Sequence, residues 1–98
     1  MKLRPVLLLT GPLGSVPEIL VAYISSVIPA PLLPWDILLD PANPEFQSTH
    51  LKTVSVLRLH KLATIHCSSL ARYLGVVGSS TQNTVANKLR ELLIPGGN

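Results

Sequence analysis

The chain has 98 residues, of which 47% are hydrophobic and 13% charged, with a formal net charge of +3. That supports one domain with a modest core and excludes a disordered chain. A single cysteine, Cys67, excludes an internal disulfide and a cysteine-based metal site, and the mild positive charge fits an anionic partner without demanding one.

The start, MKLRPVLLLT, carries Lys2 and Arg4 ahead of leucines, like a secretory leader. Its apolar run stops at Thr10, Gly11 and Pro12, short of the roughly 7–15 apolar residues a leader needs. The most apolar window, 16–35, contains Glu18 and four prolines (17, 29, 31 and 34) and is no membrane span. The expected location is the cytoplasm.

In chain order, Pro5 suits the first position of a strand, where a missing N–H costs least, and 6–10 reads as a buried strand. Residues 11–14 (GPLG) form a loop. Residues 19–25 make a second strand rich in branched side chains. The stretch 29–35 (PAPLLPW) is too proline-rich for a helix or a central strand. A short strand over 36–39 precedes a turn at 40–44. Next, 54–59 alternates, with Val54, Val56 and Arg58 on one face and Ser55, Leu57 and Leu59 on the other, and 62–66 continues the pattern. Residues 73–77 read as a last strand ending at Gly78. An amphipathic helix covers 79–94, with Ser79 as N-cap, Gln82 as its capping-box partner, and Val85, Leu89, Leu92 and Leu93 as the apolar stripe. Short strands followed by one helix predict a mainly β fold, a small barrel or open sheet with the helix packed on it.

Two features suggest chemistry. Arg4 offers a guanidinium at the mouth of the first strand, and Ser25 and Ser26 offer hydroxyls at the exit of the second. A planar guanidinium donates two hydrogen bonds to phosphate oxygens, and a prealigned donor of this kind contributes about 2.7–4 kcal/mol to a transition state. The plain alternatives are a surface arginine near a terminus and a strand that ends in a turn. Arg58, His60 and Lys61 read either as a basic RNA-contacting stripe or as a solvated edge. The spacings of His50, His60 and His66 fit no common metal-ligand pattern. Residues 11–14 lack the Gly-Lys-Ser/Thr ending of a phosphate loop. Trp35 and Phe46 suit core or dimer packing better than base stacking.

Four segments together resemble the PemK/MazF family of toxin endoribonucleases from bacterial toxin–antitoxin pairs. KLRPVLLLT (2–10) is similar to the family's Arg-Pro strand, and ILVAYISS (19–26) to the strand that ends in its catalytic hydroxyl. LKTVSVLRLHKLATI (51–65) resembles the segment that crosses the barrel and lines the dimer face. YLGVVGSSTQNTVANKLRELL (73–93) resembles the closing strand, with its Leu-Gly pair, and the C-terminal helix. The resemblance implies one domain over 1–98 with an SH3-like barrel, a homodimer, and a cognate antitoxin that blocks the RNA groove. It implies cleavage of single-stranded RNA, such as mRNA, without metal or other cofactor. The substrate's 2′-hydroxyl attacks the adjacent phosphorus and leaves 2′,3′-cyclic phosphate and 5′-hydroxyl ends. By position Arg4 matches the catalytic arginine and Ser25 the catalytic threonine; on such a site Ser26, Arg58, His60 and Lys61 are the expected RNA contacts, from their own chemistry and not from a family match.

The sequence departs from the family in two places. Serine at 25 keeps the hydroxyl but lacks the methyl that restricts its rotamer. The family's leading strand, of the type Gly-Asp-Ile-Val-Leu-Val, and the loop after it do not precede this Arg-Pro pair. The expected consequence is an incomplete barrel with its first strand missing, an unpaired edge, and weak or absent cleavage. Two other readings follow: a non-catalytic, truncated interaction module of the same fold that binds antitoxin or nucleic acid, and a basic nucleic-acid-binding domain.

Overall fold

The computed structural model describes residues 5–70 and 74–94. Four strands form one antiparallel sheet: β1 (Val6–Leu8), β2 (Glu18–Ser25), β3 (Asp36–Leu39) and β4 (Ser55–His66), in the order β1-β2-β4-β3. The sheet curls into half a barrel, and the helix α1 (Ser79–Leu93) packs against β4.

β1 is shorter than the expected 6–10, for a local reason. The ladder continues one step past Leu8, with the Leu9 amide donating to the Leu20 carbonyl at 2.9 Å. Then the Thr10 hydroxyl, rather than a carbonyl, accepts from the Leu20 amide at 3.2 Å. A side chain that takes over a backbone partner ends a strand. At the other end Pro5, which has no amide to donate, accepts from the Ile24 amide through its carbonyl.

The two runs expected at 54–59 and 62–66 are one strand with a bend. Ala22 pairs with Leu62, yet the next residue, Tyr23, pairs with Arg58, so 59–61 bulge out of the β2–β4 ladder. A bulge sharpens twist and bends the strand. Thus the first half of β4 lies between β2 and β3, and the second half pairs with the start of β2. The solvated-edge alternative for Arg58 is corrected accordingly, since 55–58 is central in the sheet. Its alternation also does not separate core from solvent. Ser55, Leu57 and Leu59 on one face and Val56 on the other are all buried, while Arg58, beside Val56, is only half-buried.

The main core unites Ala22, Ile24, Leu39, Leu57, Leu59 and Val85, with Leu7, Trp35, Phe46 and Leu89 packed on it. Trp35 and Phe46 therefore serve the core. Burying a side chain such as Leu57 stabilises the fold by about 1.5–3 kcal/mol.

The expected capping box is corrected. Gly78 is the N-cap and makes no side-chain cap bond. The Ser80 hydroxyl instead donates to Oε1 of Glu45 at 2.7 Å, and Gln82 Nε2 donates to the Val77 carbonyl. Glu45 comes from a 3-10 turn, Pro44–Thr49, of which the sequence reading placed only Pro44, at the end of its turn over 40–44. Its carboxylate suits the positive end of the helix. Of the apolar stripe, Val85 is buried, Leu89 and Leu92 are half-buried and Leu93 is exposed. At 100° per residue Leu93 lies about 80° around the helix from Val85, at the margin of the stripe.

The expected strand over 73–77 is also corrected. Tyr73 lies outside the described residues, and 74–78 runs beside the 3-10 turn instead of joining the sheet. The Val76 amide donates to the Ser48 carbonyl at 2.8 Å, and the Ser48 hydroxyl to the Val76 carbonyl at 3.1 Å. Gly75 allows this approach, since a Cβ there would collide with the Ser48 carbonyl. Among the described residues, no helix is long and apolar enough to cross a membrane.

Candidate nucleic-acid interface

Strand alternation sorts the sheet into two faces. Ala22, Ile24, Leu57 and Leu39 point into the main core. Their neighbours Tyr23, Ser25, Val56, Arg58, Asp36 and Leu38 therefore share the opposite face. The register aligns them in rows: Tyr23, Arg58 and Asp36 across β2, β4 and β3, and next to it Ser25, Val56 and Leu38.

Ser25 ends β2 and is half-buried. Its Oγ accepts from the Val27 amide at 3.0 Å, and the Val27 carbonyl lies 3.5 Å away, at the outer limit for a hydroxyl donor. One lone pair is thus engaged, and the proton's acceptor among the described residues is this long contact to the Val27 carbonyl. The hydroxyl does close a turn, as the plain reading of the sequence had it. The Val27 amide also restricts the rotamer, a restraint that a threonine methyl would otherwise supply.

Arg58 is held firmly. Its Nε donates to Asp36 Oδ1 at 2.9 Å, and its Nη2 lies 3.4 Å from His60 Nε2. The Asp36 side chain is 0% exposed and that of Arg58 18%. Asp36 Oδ2 accepts from the Leu33 amide at 2.8 Å, so the carboxylate also fixes the proline-rich loop. Arginine has no acceptor, so in this contact His60 Nε2 can only be the acceptor. Nδ1 is buried without a hydrogen-bond partner and lies 3.9 Å from Asp36 Oδ1.

The expected basic stripe is therefore divided. Arg58 and His60 belong to one carboxylate-centred cluster. Lys61 is exposed and, like Ser26, makes no side-chain hydrogen bond or ion pair among the described residues. Arg4 lies outside the described residues. Asp36 and Tyr23 were missed by sequence reading. Tyr23 had a usable signal, two residues before Ser25 on an alternating strand. Asp36 had almost none, because its partner is 22 positions away on another strand.

The fold and this face define a class: a small, curled antiparallel sheet backed by a C-terminal helix, with polar groups on its outer face. Residues 1–93 match the family of PemK-like, MazF-like toxins of type II toxin–antitoxin systems, and the chain belongs to that family. Among solved structures it is similar to the Mycobacterium tuberculosis toxin MazF-mt6. The two share 23% identity, the match covers 92% of this chain and 85% of that one, and the TM-score is 0.71, a likeness of fold. No curated protein sequence matches the chain. Membership implies an antitoxin as partner.

Proposed function

We propose that the protein is a metal-independent endoribonuclease that cuts single-stranded RNA, with Ser25 and Arg4 at the scissile phosphate. In this reading the substrate's 2′-oxygen bonds to phosphorus as the bond to the 5′-oxygen breaks. The 2′-hydroxyl gives up a proton and the leaving oxygen gains one, so the products are a 2′,3′-cyclic phosphate and a 5′-hydroxyl. No metal is required, because the nucleophile is already on the substrate. Ser25 donates to a non-bridging oxygen as charge builds there, and Arg4 donates two parallel N–H groups. Ser26, Arg58, His60 and Lys61 contact the RNA on either side.

The observation that carries the proposal is the Ser25 hydroxyl, fixed by the Val27 amide and donating only over a long 3.5 Å to the Val27 carbonyl, on the outer face of a sheet that belongs to a toxin family. The same reading includes a homodimer and an antitoxin that covers the RNA-binding face. The exposed apolar side chains Val27, Ile28, Leu32 and Leu33 between β2 and β3 suit a protein partner.

The test is incubation of single-stranded RNA with the protein in EDTA, followed by end-group analysis. Weak cleavage that leaves cyclic-phosphate and 5′-hydroxyl ends and disappears with Arg4→Ala is expected. No cleavage, together with tight binding of an acidic antitoxin peptide, would replace the enzyme with a non-catalytic module of the same fold.

A further inference from the structure

We propose that Asp36 is a positioning residue: with His60 it holds the Arg58 guanidinium so that its free N–H edge takes a second RNA phosphate, beside the one at Ser25. This rests on the RNA reading above and adds a built subsite to it.

The geometry of the ion pair is the starting point. A structural arginine–carboxylate pair commonly closes as two parallel hydrogen bonds. Here Asp36 instead gives Arg58 a single oxygen, at Nε, and commits its other oxygen to the Leu33 amide. His60 meets Nη2 from its own side. The edge of the guanidinium formed by Nη1 and Nη2 has no further partner among the described residues. The arginine is thus pinned at its base and unused at its tip.

Placement of the tip agrees. Tyr23 pairs directly with Arg58, and Ser25 pairs with Val56, so Ser25 and Arg58 are diagonal neighbours on the same face. Diagonal positions on adjacent antiparallel strands lie about 7–8 Å apart, within reach of neighbouring phosphates of one extended strand. The exposed Tyr23 stands beside both. The bulge at 59–61 interrupts the ladder immediately after Arg58, and bulges often re-aim a side chain next to a site. A flexible surface cation would have to be ordered on binding, whereas this guanidinium is already fixed.

Charge alone makes the opposite prediction for Asp36. Removing a carboxylate from an RNA-binding face should strengthen binding. A positioning role requires that binding weaken. The experiment is fluorescence anisotropy on the full chain with a 2′-O-methyl single-stranded oligoribonucleotide, which lacks the nucleophile and cannot be cut, over a salt series. Thermal melts accompany each variant. Asp36→Asn is expected to weaken binding about tenfold. Arg58→Ala should weaken it and reduce the log–log salt slope by about 0.7, the value for one phosphate contact on a single strand. Arg58→Lys should restore little, because lysine lacks the planar fork.

Asp36→Asn binding as tightly as the unmodified protein, or more tightly, overturns the proposal, as does an unchanged salt slope in Arg58→Ala. If Asp36→Asn does not fold, Arg58→Lys decides, and unchanged affinity in that variant overturns it. Failure of the unmodified protein to bind the oligonucleotide removes the RNA reading itself, and this subsite with it. Normal binding with a silent Arg58 removes this subsite alone.

Discussion

At the scale of single residues, small groups do exacting work here because each has one committed partner. The Ser25 hydroxyl accepts from the Val27 amide at 3.0 Å, and its own donation, to the Val27 carbonyl at 3.5 Å, is long and weak enough to yield to a better acceptor. Single-turnover cleavage by Ser25→Ala is therefore expected to fall about 10²–10³-fold, as for a lost transition-state donor. Ser25→Thr should retain activity, since the hydroxyl survives and the added methyl only narrows its rotamers. Full activity in Ser25→Ala would remove serine from the mechanism. Gly75 is the second such position. A side chain there would strike the Ser48 carbonyl, which is itself hydrogen-bonded to Val76. Gly75→Ala is expected to destabilise by about 1–3 kcal/mol, as overpacking does, read from the urea midpoint. No shift in the midpoint would mean that 74–78 can leave the 3-10 turn at little cost.

At the scale of elements, β4 organises the molecule and α1 completes it. β4 contributes Leu57 and Leu59 to the core on one face and Arg58 to the candidate interface on the other. The helix meets the core through Val85 and Leu89 and ties the proline-rich loop through Lys88, whose Nζ donates to the Pro34 carbonyl at 2.6 Å. These roles separate two leucines that look alike in sequence. Leu57→Ala empties a fully buried site and should cost about 2–5 kcal/mol. Leu93→Ala, in the last helical turn and exposed, should change stability by less than about 0.5 kcal/mol. Equal losses in the two variants, measured by chemical denaturation, would contradict the assignment of the stripe's margin.

At the scale of the whole molecule, the outer face and the loop between β2 and β3 leave apolar side chains in solvent. Val27 is 77% exposed, and Ile28, Leu32 and Leu33 follow it into the same loop. Such a patch suits burial against another protein surface. The proposed homodimer should appear as a single species of twice the chain mass in sedimentation velocity at micromolar concentration. A charge at the patch, Val27→Asp, should shift that species towards monomer. A monomer across the concentration range would argue against the dimer and leave the patch to the antitoxin.

By itself the sequence determined the fold class, the strands at 19–25 and 36–39, the helix and most of its buried stripe. Those features depend on periodicity, proline placement and branched side chains, which act between residues close in the chain. The resemblance of its segments to the toxin family was legible too, as was Ser25 at the end of its strand. Only the tertiary structure decided that 55–66 is one bent strand whose first half is central in the sheet, because its two neighbours there, β2 and β3, come from elsewhere in the sequence. It alone joined Glu45 to Ser80, Gly75 to Ser48, and Asp36 to Arg58 and His60. Each of those contacts bridges separate elements, so neither partner's local pattern carries a sign of the other. A basic residue on a strand looks the same in sequence whether solvent surrounds it or a buried carboxylate holds it, and for Arg58 that difference is set by a β3–β4 pairing that exists only once the sheet has formed.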